Sequence, residues 1–219
     1  MEDIILYHGS KSGINGEISP AAGRDKCDFG KGFYMGTDLK QAKSLVSPFN
    51  DPEIYTLRFK ISEIPESRIL RLEDNKEWMY TVLACRGAIT TKEMPLLKKY
   101  LFALKNCDVV IGKIADDGMK EALGAFYENN LTDEGLIACL RKADYGLQYV
   151  AKTDFACSKI EILGEKRLLG KEKRDAKLYG VEMRHKCNNI VENMQNTYSE
   201  KGQFMHNILA EERTKTPEG

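Results

Sequence analysis

Three polar side chains in this 219-residue chain sit in strand-like runs beside glycines or polar turns. They are His8, after the apolar run Ile4-Ile5-Leu6-Tyr7; Tyr34, closing Phe29-Gly-Lys-Gly-Phe-Tyr34; and Gln148, in Leu147-Gln-Tyr-Val150. A histidine at one strand end and a tyrosine on another suit gripping a ribose and stacking on a flat ring. Gly30 and Gly32 bracket Lys31, and glycine at such places permits a tight turn or the close approach of a ligand. Each residue alone is ordinary: strand tyrosines pack in cores, and a histidine after an apolar strand is often a satisfied structural group. Their joint contexts point to a nucleotide. Two adjacent acids, Asp116 and Asp117, follow a further apolar strand and precede Gly118 and a helix. One of them suffices as the helix cap, so the other is available for chemistry at a strand end.

The elements that must position these residues read as follows. Strands are expected over residues 4–8, 32–35, 54–61, 108–111, 147–150 and 160–163. Helices are expected over 39–46, capped by Asp38 or Thr37, over 75–85, over 91–104, over 119–126 and around 136–140. A helical turn is expected at 154–157, and 11–31 is loop. Residues 164–167 and 170–175 are charged and read as a linker or a helix start. One or two amphipathic helices follow over 178–209, and 213–219 reads as a disordered tail. Strands, then helices, then strands again argue for an α+β domain with mostly antiparallel pairing. The expected division is a domain over 1–165 and a charged helical extension over 166–219.

Composition excludes several classes. Lys+Arg and Asp+Glu are both 33, so a global electrostatic case for nucleic acid is missing. The six cysteines include no C-x-x-C pair and match no zinc spacing; several lie in apolar runs, which implies reduced thiols in a cytosol and no metal. His185 and His206 lie among charges on the C-terminal helices and read as solvated. The N-terminus lacks the basic and apolar regions of a signal peptide, and no apolar run is long enough to span a bilayer, so a cytoplasmic location is expected.

Taken together, Tyr7-His8-Gly9-Ser10, the 29–34 segment and the 147–150 segment resemble the three sites of the ADP-ribosyltransferase superfamily. The resemblance is to the His-Tyr-Glu branch shared by diphtheria toxin and the poly-ADP-ribose polymerases. More closely, the chain resembles a bacterial domain-of-unknown-function family in that superfamily. Its marks are a D-F-G-x-G-F-Y segment, an acidic strand end like residues 108–117, and a Q-Y-V segment followed here by Lys152-Thr153.

The resemblance implies a split antiparallel β-sheet core with inserted helices and a helical C-terminal extension. It implies NAD as co-substrate, with cleavage of the nicotinamide–ribose bond and transfer of a single ADP-ribose to an acceptor. His8 would bind the adenosine ribose, the Gly9 backbone the nicotinamide amide, and Tyr34 would stack on the nicotinamide ring. Ser10, Gly32 and Phe33 would complete the pocket, and Arg24, with Lys31, would meet the diphosphate. The catalytic set would be His8, Tyr34, Gln148, Asp116 and Asp117. Where the triad has glutamate this chain has Gln148, an amide that offers no negative charge. Asp116, Asp117 and Asp144 are the acids that could supply it, and a Gln148→Glu swap is expected to raise hydrolysis. Tyr145, beside Asp144, would stack on the acceptor or lie in an exposed turn. A non-catalytic NAD or ADP-ribose sensor and an NAD glycohydrolase are the alternatives. The C-terminal helices could cover the domain, mediate a homodimer or bind a partner.

Overall fold

The structure is a computed structural model that describes residues 2–115, 119–143 and 145–215. Asp116, Asp117 and Asp144 therefore lie outside the described residues. The strands are β1 (Ile4–Ser10), β2 (Phe33–Gly36), β3 (Glu53–Phe59), β4 (Ile69–Leu72), β5 (Val109–Lys113), β6 (Leu147–Ala151) and β7 (Ile160–Arg167). They form one seven-stranded mixed sheet in the order β4-β5-β6-β2-β1-β3-β7. Only β4 and β5 pair in parallel; every other pairing is antiparallel. The helices are α1 (Leu39–Val46), α2 (Lys76–Arg86), α3 (Leu97–Lys105), α4 (Lys120–Tyr127), α5 (Asp133–Ala143), α6 (Asp154–Cys157), α7 (Gly170–Thr197) and α8 (Met205–Lys215). The α+β architecture is as the element order implied.

Period-two alternation divides the strands between two cores. Val110 and Val150 point into a large core with Trp78, Met79, Val82, Leu97, Phe126 and Leu136 from the helices, and Tyr34 packs against it. Phe33, Met35, Val109, Ile111 and Ala151 point the other way and meet Leu6, Tyr55, Leu57 and Phe59. Strand β5 is buried on both faces, which is why its sequence is a continuous apolar run.

Several local rules set the helices. Asp38 caps α1, accepting from the Lys40 N–H at 2.7 Å. Asn75 caps α2, and Gly87 ends it at φ 78°, a conformation that favours glycine. The expected helix over 91–104 starts only at Leu97. Pro95 has no N–H and disfavours helical backbone at Met94, so the preceding residues make turns in which the Glu93 carboxylate accepts from the Thr90 N–H at 2.8 Å. Strand β4 was not expected; its four residues are too few for a periodic signal. Residues 164–167, expected as a linker or a helix start, extend β7, paired with β3 through Glu53↔Arg167. Helix α8 runs to Lys215, into the segment expected as a tail.

The C-terminal helices are built into the molecule. Cys187, Val191 and Met194 of α7 and Met205 and Ile208 of α8 belong to the large core. Ala176 of α7 packs with Val46, Ile54 and Leu168 over the β1–β3 half of the sheet. The Asp133 N–H donates to the Gln203 carbonyl and the Gln203 N–H donates to the Asp133 carboxylate, both at 2.9 Å, tying α5 to the turn before α8.

Candidate functional site

The three segments singled out by their chemistry fall on adjacent strands, β6-β2-β1. Gly36 of β2 stands opposite Gln148 on one side and Tyr7 on the other. Strand β1 pairs with β3 along its whole length, from Ile4↔Phe59 to Ser10↔Glu53, but with β2 only at Tyr7↔Gly36. The β1–β2 ladder gives out where the His8 segment begins.

His8 fills that opening. Its ring stacks on Phe33 at 4.4 Å between centroids, and its Nδ1 lies 2.7 Å from the Tyr34 carbonyl. A carbonyl only accepts, so Nδ1 carries the proton and donates, which leaves Nε2 as an acceptor. Burial lowers the His8 pKa below its ordinary value, against the opposing pull of the Tyr34 hydrogen bond, and favours the neutral ring. A neutral, oriented imidazole with a bare nitrogen suits a hydroxyl donor.

Tyr34 faces the other core. Its hydroxyl donates to the Gly30 carbonyl at 2.6 Å and accepts from the Phe29 N–H at 3.0 Å. Burial, reinforced by the Asp28 charge, drives its pKa far upward, so the phenol stays protonated. The His8 and Tyr34 rings are not brought together: one stacks on Phe33, the other packs over the 27–30 turn. That turn is closed by the Gly30 N–H donating to the Cys27 carbonyl at 3.0 Å, with Gly30 at φ 70°.

Gln148 is buried, and both protons of its amide are taken. Nε2 donates to Asp28 Oδ2 at 2.7 Å and to the Lys113 carbonyl at 3.0 Å. Oε1 is the atom left to accept. Asp28, itself buried, is a hub: Oδ1 accepts from Arg86 Nε at 2.9 Å and Nη2 at 2.6 Å, and Oδ2 also accepts from the Ala115 N–H at 2.9 Å. Arg86 Nη2 donates as well to the Ala115 carbonyl. Trp78 Nε1 donates to the same Lys113 carbonyl as Gln148, at 3.1 Å. The acid nearest Gln148 among the described residues is thus Asp28, for which the sequence implied no role. Its partner Arg86 lies 58 positions away, at the end of α2, so nothing local in the sequence marks the pair.

The remaining expected residues divide. A Cβ on Gly9 would stand 2.6 Å from the Ala42 carbonyl and 2.8 Å from Val46, so glycine there lets α1 lie directly on β1. A Cβ on Gly32 would stand 2.6 Å from Val150, so it serves the packing of β2 on β6. Ser10 Oγ donates to the Gly13 carbonyl at 2.8 Å, within its own loop. Arg24 is exposed beside Cys27, and Lys31 is exposed too. Tyr145 is neither exposed nor available for stacking: it is buried, with its hydroxyl 2.7 Å from Cys187 Sγ, because α7 covers it. Lys152, unassigned a role from sequence, donates from Nζ to the Phe29 carbonyl at 2.5 Å and to the Lys31 carbonyl. All six cysteines are free thiols, and no helix among the described residues is long and apolar enough to cross a membrane.

A family model described as a protein of unknown function (DUF3990) matches residues 4–162, from β1 into β7. No curated protein and no solved structure matches the chain.

Proposed function

The chain belongs to the DUF3990 family, and from its site we propose an NAD-dependent ADP-ribosyltransferase on an ADP-ribosyltransferase-like split sheet, passing a single ADP-ribose to an acceptor. The observation that carries this reading is the convergence of the three motif segments on neighbouring strands, where β1 and β2 part and His8 bonds across the opening to the Tyr34 carbonyl. Where the two strands cease to pair, a conformationally fixed histidine offers one free ring nitrogen as an acceptor.

In this reading the neutral His8 accepts a ribose hydroxyl at Nε2. Gln148 accepts a second hydroxyl at Oε1, because its donors are already committed. The Asp28 carboxylate behind the amide polarises it and strengthens Oε1 as an acceptor. Cleavage of the nicotinamide–ribose bond develops positive charge on the ribose, and the acceptor's nucleophile then attacks the anomeric carbon as nicotinamide leaves with the bonding pair. Asp28 lies one hydrogen bond behind Gln148, and Arg86 balances its charge, so it orients and polarises and does not act as a base.

The test is nicotinamide release from NAD by purified protein, with lysate supplied as acceptor and label followed into protease- and nuclease-sensitive fractions. Release and labelling that disappear in His8→Ala and Gln148→Ala support the transferase. NAD binding without nicotinamide release over long incubation defeats it. One observation favours a second reading, a non-catalytic NAD or ADP-ribose sensor: the neutral amide at position 148 supplies binding contacts without a charge for the transition state. Release without labelling of any macromolecule identifies a glycohydrolase instead.

A further inference from the structure

We propose that the cavity behind the 27–31 turn binds a compact carboxylate with an apolar body, received by Lys152. The cavity measures about 320 Å³ and is walled by Phe29, Leu101, Leu104, Cys85 and Cys107, with Lys152 at one side. Among the described residues, none that lines it is acidic. That volume lies at the small end of ligand pockets, which run from about 300 Å³ upward, and suits a single ring or a short chain.

The pointer to an anion is Lys152. Two of its three protons go to the Phe29 and Lys31 carbonyls, and among the described residues no carboxylate pairs with it. Half-buried ammonium groups ordinarily have a counter-ion. Arg86, in the same neighbourhood, has one in Asp28. The third proton of Lys152 is the donor a ligand carboxylate would meet. The thiols reinforce the apolar character of the wall: burial pushes Cys85 up to about 11 and raises Cys107, so both stay uncharged. Lys105 also lines the cavity but is exposed, so Lys152 is its half-buried cation, and one such charge balances a monoanion. The backbone atoms that Lys152 holds flank Gly30, whose carbonyl receives the Tyr34 hydroxyl, so occupancy bears on the turn that carries Asp28.

The experiment is titration calorimetry of the full chain, without NAD, using phenylacetate, phenylacetamide and phenethylamine. Expected is saturable one-site binding of phenylacetate, at least tenfold weaker binding of the amide, about 1.4 kcal/mol, and none of the amine. Leu101→Trp fills the cavity and abolishes binding with the melting temperature retained; Lys152→Met lowers the acid to the affinity of the amide. Equal affinity for acid and amide, no saturable binding by folded wild type, or undiminished binding by Leu101→Trp overturns the proposal. Should Lys152→Met not fold, Lys105→Met decides: an unchanged acid-to-amide ratio leaves Lys152 as the receiver, and a ratio that falls to one assigns the carboxylate to Lys105 and overturns the proposal.

Discussion

The two sides of β1 are built on opposite plans. Towards β3 the strand is paired residue by residue from Ile4 to Ser10; towards β2 it is joined at Tyr7↔Gly36 and then pinned by a side chain, His8 to the Tyr34 carbonyl. A full ladder uses the donors and acceptors of every second residue towards that neighbour and fixes register. A single pair followed by a side-chain pin leaves strand edges apart and makes the spacing depend on one titratable ring. The Asp28 hub, a few residues away in space, follows the first plan with side chains: each of its oxygens accepts two hydrogen bonds. The molecule thus sets a hydrogen-bonded cluster, in which both Asp28 oxygens are satisfied, near a stretch where β1 and β2 are not paired.

Breaking the closed side has the largest expected effect. Asp28→Ala leaves Arg86 without its counter-charge and orphans the Ala115 N–H and a Gln148 donor. A loss of about 3–5 kcal/mol in urea unfolding is expected, and a loss within about 1 kcal/mol would show the hub to be ornamental.

Gln148→Glu sharpens the comparison next, because the same swap that is expected to raise hydrolysis also carries a stability cost set by its neighbours. A carboxylate at 148 would replace an amide donor 2.7 Å from Asp28 Oδ2 and 3.0 Å from the Lys113 carbonyl. Two acids that close cannot both ionise, so the folded pKa of the new acid rises above its unfolded value. The folded state then holds the extra proton, and stability present at low pH is lost as pH rises from about 4.3, at about 1.4 kcal/mol per unit until the raised pKa is passed. A chemical-denaturation series against pH measures this. Asp28→Asn placed on top, which restores a donor against the new carboxylate, should recover part of the loss at pH 7; no recovery would break the assignment.

The open side responds to acid. His8 has its pKa lowered by burial, so the unfolded chain binds the proton more readily. The contribution of neutral His8 is fully present above about 6.5 and is lost as pH falls towards the folded value, at no more than about 1.4 kcal/mol per unit. His8→Asn, which keeps a donor for the Tyr34 carbonyl, should flatten the stability profile between pH 7 and pH 5; an unchanged slope would assign the pH dependence elsewhere. Smallest is Tyr34→Phe, which strips the hydroxyl bonds to Gly30 and Phe29 and should cost about 1–2 kcal/mol by thermal melting.

What the sequence disclosed follows interaction range. Asp38 as a helix cap, the buried β5 and the alternating β3 are local signals, and the structure has them. Strand β4 is short, β7 is charged and α3 is delayed by Pro95, so local pattern misplaced them. In the site, the three segments were legible because each carries its own glycine or polar punctuation. The placement of His8 and Tyr34 against separate cores was not, since it depends on where the β1–β2 ladder stops. Asp28 stood inside the segment that drew attention, yet its importance comes from Arg86, Ala115 and Gln148, brought from three other parts of the chain.

The chain has one tryptophan. Its indole N–H ends on the Lys113 carbonyl, the oxygen that also receives Gln148. Any event that pulls the Gln148 amide away changes the electron density on the oxygen to which the indole donates. The protein therefore carries an optical reporter of its own: excitation selective for tryptophan reads one position, which shares a hydrogen-bond acceptor with Gln148, with no label to introduce and no second tryptophan to subtract.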